Sequence, residues 1–214
     1  MEYHEIINQR KIHRLCHFTH IENLESIFGS GILSSNYSGI QRNDPDRADG
    51  CLGHICTSVE YPNAYYLKQL VERTRTQIED WVILEIDPGI IDDTSLFCQV
   101  NASKGAGRYL IRGVDAFSSL FASSFEIGSE SKERNPRWID CAPTDLQAEV
   151  LIYDQIRVES IQGIIFHKCS SMFRIPQNIP KHIRIRYSED LFVGRKIRQW
   201  LDSGRFPYDF KLEV

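Results

Sequence analysis

The chain has 214 residues, 42% apolar and 25% charged, with a formal net charge of −4. This is the balance of one soluble globular domain over residues 1–214, and it excludes collagen-like, coiled-coil and disordered chains. No apolar run approaches the ~18 residues of a membrane span. The segment from Met1 to Arg14 is polar and lacks an apolar stretch of signal-peptide kind, so a cytoplasmic protein with no membrane contact is expected.

Charge is uneven. Residues 1–173 carry 16 basic and 24 acidic side chains, net −8, whereas residues 174–214 carry 9 and 5, net +4. A basic end of this kind fits either a polyanion-binding face or a solvated helix face. The six cysteines are irregularly spaced with no C-x-x-C pair. Cys51, His54 and Cys56 cluster but lack a second ligand pair, so no metal is expected and the thiols read as buried groups in a reducing compartment.

In chain order, Arg14 to Phe18 reads as a strand. Thr19 and Glu22 form a predicted capping box for a helix carrying Ile21, Leu24, Ile27 and Phe28, ended by Gly29 and Gly31. Ser35 to Cys51 is Asn, Ser, Asp, Gly and Arg with almost no apolar residues, a long loop of the kind that often carries function. Leu52 to Val59 is strand-like. Pro62 opens a helix whose stripe is Tyr66, Leu67, Leu70, Val71, Thr74 and Ile78. Trp81 to Ile86 is a buried strand closed by Asp87-Pro88-Gly89. A short helix follows around Val114 to Phe121, then a second polar loop from Ser129 to Leu146. Ala148 to Tyr153 and Ile161 to Phe166 read as strands, and Ser188 to Leu201 as a closing helix. The sum is an α+β fold of many short strands and about four helices. Neither G-x-G-x-x-G after a strand nor G-x-x-x-x-G-K occurs, which excludes Rossmann and P-loop nucleotide binding.

Three features could carry chemistry. Glu149 sits on a predicted strand, with Gln147 on the same face and Ala148, Val150 and Ile152 turned to the core. His17 stands at a strand end, where a histidine is either a ligand contact or a structural group. Tyr65 and Tyr66 lie on a helix, as core or as a stacking platform. No Ser-His-Asp or Cys-His arrangement supports acyl transfer.

The blocks His17-Phe18-Thr19-His20-Ile21-Glu22-Asn23-Leu24 and Gln147-Ala148-Glu149-Val150-Leu151-Ile152 resemble the opening and the catalytic strand of the DarT family, ADP-ribosyltransferases that modify nucleobases and usually act as toxins. The resemblance implies an ADP-ribosyltransferase-like fold with a split sheet core and a glycosyltransferase reaction that uses NAD as substrate without a metal. It implies that Glu149 is the catalytic carboxylate and that Arg42 or Arg47 is the active-site arginine. His17, Thr19 and Asn23 would hold NAD, with Tyr66 or Tyr65 stacked on nicotinamide. Gln147, Arg134 and Arg137 would meet the acceptor. The expected partners are single-stranded nucleic acid, DNA or RNA, and an antitoxin protein; the expected role is a toxin or phage-defence effector. The strand His54-Ile55-Cys56-Thr57-Ser58 departs from the family's aromatic-rich pattern. A protein-modifying transferase and a non-catalytic nucleic-acid-binding module of the same fold are the alternatives.

Overall fold

The computed structural model describes residues 2–38 and 48–204. In chain order it contains α1 (Tyr3–Arg10), β1 (Leu15–His20), α2 (Leu24–Ser30), β2 (Ile32–Leu33), β3 (His54–Val59), α3 (Ala64–Thr74), β4 (Trp81–Ile86), β5 (Leu96–Cys98) and β6 (Ile111–Arg112). Then follow α4 (Val114–Ser119), β7 (Ser124–Ile127), β8 (Glu130–Glu133), β9 (Glu149–Tyr153), β10 (Gln155–Ile156), β11 (Ile161–Phe166), β12 (Arg184–Tyr187) and α5 (Gly194–Asp202). Among the described residues no helix is long and apolar enough to cross a membrane.

The main sheet runs β12-β11-β4-β1-β3-β9-β5-β6. Its ladders are antiparallel except for the parallel β11–β12 pair. β4 is buried along its whole length, and strand alternation sends its side chains into two cores. Val82, Leu84 and Ile86 join the core that receives Ile6 of α1, Leu24 of α2 and Phe117 of α4. Trp81 and Ile83 join the core that receives Leu67 and Leu70 of α3 and Ile197 of α5. Each fully buried aliphatic side chain contributes about 1.5–3 kcal/mol, so both faces of β4 hold helices in place.

Glu85 shares the second face and is the exception to its apolarity. Arg14 Nη1 donates to Glu85 Oε1 at 2.5 Å, and Arg186 Nη2 donates to Glu85 Oε2. Arg14 Nε also donates to the Glu60 carbonyl at 2.9 Å. Burial alone would raise the Glu85 carboxyl, but the two guanidinium groups hold it below its ordinary value.

Several expected elements change. The Thr19–Glu22 box does not form: the His20 side chain accepts from the Glu22 N–H, and Thr19 Oγ1 accepts from Asn23 Nδ2 at 3.1 Å. A short tight turn, Ile21–Asn23, therefore precedes α2. The helix after Pro62 starts at Ala64, because Asn63 caps it by accepting from the Tyr66 N–H. The polar stretch from Ser129 is partly strand, β8, which closes a hairpin on β7. The closing helix is confined to α5, since Asp190–Phe192 forms a separate turn ahead of it.

Candidate active site

The site arises where the sheet comes apart. β1 pairs with β4 through all six of its residues, but with β3 only through Leu15↔Val59 and Cys16↔Ser58. Beyond those pairs the two strands diverge, while β3 stays paired with β9 from His54↔Tyr153 to Ser58↔Glu149. A cavity of about 420 Å³ fills the opening and is lined from Ser58 at one end to His54 at the other. The two are four residue steps apart along β3, about 13 Å.

His17 bridges the split. Its Nδ1 lies 2.8 Å from the Cys56 carbonyl. A carbonyl oxygen only accepts, so Nδ1 carries the proton and donates it across the split. Thr19 and Asn23, joined by their side-chain hydrogen bond, line the same cavity. Glu149 closes the end near Ser58 and is 7% exposed. Its Oε1 accepts from Asn101 Nδ2 at 3.1 Å and its Oε2 from the Ala102 N–H at 2.8 Å.

The two tyrosines separate by their helical phase. Tyr66 lines the cavity, its ring 6.2 Å from that of Phe18. Tyr65 points away and packs on Gly194 at the start of α5, where an added Cβ would lie 2.7 Å from its ring. Of the two tyrosines expected against nicotinamide, Tyr66 lines the cavity and Tyr65 does not.

A second cavity of about 290 Å³ shares Tyr66, Asn101 and Ser103 with the first. Gln147 lines it, together with two ion-paired lysines. Lys104 Nζ is 2.7 Å from Glu130, and Lys132 Nζ is 3.4 Å from Asp145. Arg134 is not part of this surface. Its Nη1 donates to the Ala142 carbonyl at 2.5 Å and its Nη2 to the Ile139 carbonyl at 2.7 Å, so it ties down the loop ahead of β9. Arg137 is exposed and lines neither cavity. Arg42 and Arg47 lie outside the described residues.

Sequence reasoning missed Asn101, Ser103 and Asp49. Asp49 is 8% exposed and lines the first cavity, its Oδ1 accepting from the Cys51 N–H at 2.7 Å. Over it sits Gly107, at φ +80°, whose missing Cβ leaves room for the Asp49 carbonyl. The Asn-Ala-Ser turn before a Gly-rich stretch was the one available signal for Asn101.

Of the thiols expected to be buried, Cys16, Cys98 and Cys141 are, whereas Cys51 and Cys56 are half-buried and Cys169 is exposed. Burial pushes Cys16 and Cys141 up to about 12 and Cys98 up to about 11. Among the described residues no group of three or more His, Cys, Asp or Glu could hold a metal ion. The arrangement can hold a polar ligand along β3 with a fixed carboxylate at its end, a group that can stabilise a cationic sugar as a glycosidic bond breaks.

Comparison with known proteins agrees with this geometry. The chain is similar to the structure of Thermosipho africanus DarTG in complex with ADP-ribose, at 14% identity and a TM-score of 0.58, over 84% of this chain and 51% of that one. It is similar to Thermus sp. 2.9 DarT in complex with carba-NAD+, at 16% identity and a TM-score of 0.55, over 86% of this chain and 99% of that one. The same Thermus protein in complex with ADP-ribosylated ssDNA matches at 16% identity and a TM-score of 0.52, over 86% and 97%. The chain thus spans about half the length of the Thermosipho protein and nearly all of the Thermus protein. No curated protein matches it significantly. These likenesses bear out the expected α+β, ADP-ribosyltransferase-like fold with its split sheet. The family model described as "ssDNA thymidine ADP-ribosyltransferase, DarT" matches residues 16–190, and the chain belongs to the DarT family.

Proposed function

We propose that this chain, as a single transferase domain, moves ADP-ribose from NAD to a thymidine of single-stranded DNA, and that Glu149 is the catalytic carboxylate. The observation that carries this reading is the position of Glu149. It stands on a sheet strand at the end of the cavity that holds His17, Thr19, Asn23 and Tyr66, beside a second cavity that meets the first at Tyr66.

NAD lies along the split, its nicotinamide against Tyr66 and a ribose hydroxyl on His17. The bond between ribose C1′ and the nicotinamide nitrogen breaks, and its electron pair leaves with nicotinamide. The ribose becomes oxocarbenium-like, and the Glu149 carboxylate stabilises that charge while accepting a hydrogen bond from the 2′-hydroxyl. An atom of the base then bonds to C1′ and gives up its proton to solvent water. The base approaches from the second cavity, where Gln147 offers both a donor and an acceptor. A base in a duplex cannot reach C1′ without leaving its stack, which favours single strands.

A toxin role in the cytoplasm, with an antitoxin as protein partner, belongs to the same proposal. It is supported by family membership and by the likeness to a DarTG protein. A role in phage defence belongs to the same proposal, and RNA as acceptor is tested beside it.

The test incubates the protein with NAD and, separately, thymidine-containing single-stranded DNA, its duplex, RNA of the same sequence and a protein mixture. Mass analysis should find ADP-ribose on the single-stranded DNA, and Glu149→Gln should lower transfer about 100- to 1000-fold. Labelling of protein alone, or a folded Glu149→Gln protein with more than a tenth of wild-type transfer, overturns the reading.

A further inference from the structure

The Glu149 carboxylate is gripped by one turn of chain. Asn101 Nδ2 donates to Oε1 and the Ala102 N–H to Oε2, at 3.1 and 2.8 Å. Asn101 is itself fixed, because its Oδ1 accepts from the Ser103 N–H at 3.0 Å and from the Ser103 hydroxyl. The turn is anchored below. Val100 and Ala102 are buried with Leu151 of β9 in a small core, and β5 pairs with β9 at Cys98↔Glu149. Each carboxylate oxygen thus has a donor from one of two adjacent residues. The group cannot rotate without breaking one of these bonds.

We propose that Asn101 is a positioning residue for the transfer reaction: its amide sets the orientation of the Glu149 carboxylate and favours its ionised form. This rests on the reading of Glu149 as the catalytic group. Two donors aimed at a carboxylate favour its charged state. A carboxylate held in place needs no reorganisation when the ribose becomes cationic. The position requires both halves of the amide, since the carbonyl closes the turn on Ser103 while the NH₂ holds Glu149.

That division supplies the test. Asn101→Asp keeps the acceptor that closes the turn and removes the donor, and it sets a second carboxylate against the first. Two acids so close titrate as a pair, one of them raised. Transfer from NAD to a thymidine-containing single-stranded oligonucleotide is followed across pH for wild type, Asn101→Asp, Ser103→Ala and Glu149→Gln, with melting temperatures alongside. Asn101→Asp should lower kcat about tenfold or more near neutral pH, and move the acidic limb of the profile up by about one unit or more. The KM for NAD and the melting temperature should change little. Ser103→Ala, which loosens the turn and keeps the donor, should have the smaller effect on kcat and none on the limb. A profile for Asn101→Asp that superimposes on wild type, or a loss of kcat matched by a collapse in melting temperature, overturns the assignment. If Glu149→Gln is inactive and Asn101→Asp is fully active, only the role of Asn101 falls. If Glu149→Gln transfers like wild type, the reading beneath falls and this one with it.

Discussion

Replacing His17 by alanine separates a ligand contact from a structural one. The side chain makes a hydrogen bond from Nδ1 to the Cys56 carbonyl, across the place where β1 and β3 part. Losing that bond costs about 1 kcal/mol of stability. For a chain of this size that is a fall of about 2–4 °C in melting temperature. The proposed contact between the ring and a ribose hydroxyl would contribute a further ~1–2 kcal/mol to NAD binding. NAD affinity should then weaken about 5- to 30-fold. The measurement is calorimetric titration with NAD in a Glu149→Gln background, where turnover is suppressed, beside thermal denaturation of the same proteins. An NAD affinity within about twofold of the parent, with a melting temperature far below the expected drop, would show that His17 is a packing residue. The assignment of the ribose to that side of the cavity would then be wrong.

Other outcomes follow from the same geometry. Tyr66→Ala should weaken NAD binding by about two- to tenfold, the range of one aromatic contact, whereas Tyr65→Ala should leave NAD titrations unchanged and lower the melting temperature through its lost packing on Gly194. Arg134→Ala should cost about 2 kcal/mol in urea unfolding, because two loop carbonyls lose a charged donor, while Arg137→Ala should be neutral. Glu85→Gln should lose about 3 kcal/mol at neutral pH, since buried Arg14 and half-buried Arg186 lose the carboxylate they share. Because the folded Glu85 carboxyl lies below its ordinary 4.5, its contribution is full above that pH and is lost as pH falls through the lower folded value. Urea unfolding at pH 6 and pH 3 should therefore show wild type losing more of its stability than Glu85→Gln does.

Much of this was legible in the residues, for physical reasons that differ from place to place. β4 has the predicted bounds because a strand buried on both faces is a continuous apolar run, and Asp87-Pro88 ends it. The Gln147-Ala148-Glu149 block was legible because alternation separates its core face from its cavity face. α1 was missed because its mixed polar sequence buries only Tyr3 and Ile6. β7 was missed although Phe125 and Ile127 alternate with exposed neighbours, because it is only four residues long. Which tyrosine faces the cavity depends on where α3 starts, and a Pro-Asn pair leaves that start ambiguous by two residues. The Asn-Ala-Ser turn marks Asn101 as a turn residue, but its role was not legible because its partner lies 48 residues away.

The parting of β1 from β3 has a consequence for how such a protein can change over time. A groove opened by withholding ladder bonds is walled in part by the peptide units themselves, as the Cys56 carbonyl under His17 illustrates. Main-chain donors and acceptors are present whatever side chain each position carries. Mutation can rewrite most of the lining and still leave a polar trough of the same length along β3. The fold likeness to Thermus and Thermosipho proteins at 14–16% identity is what such a wall permits, with selection left to act on the few side chains that supply charge.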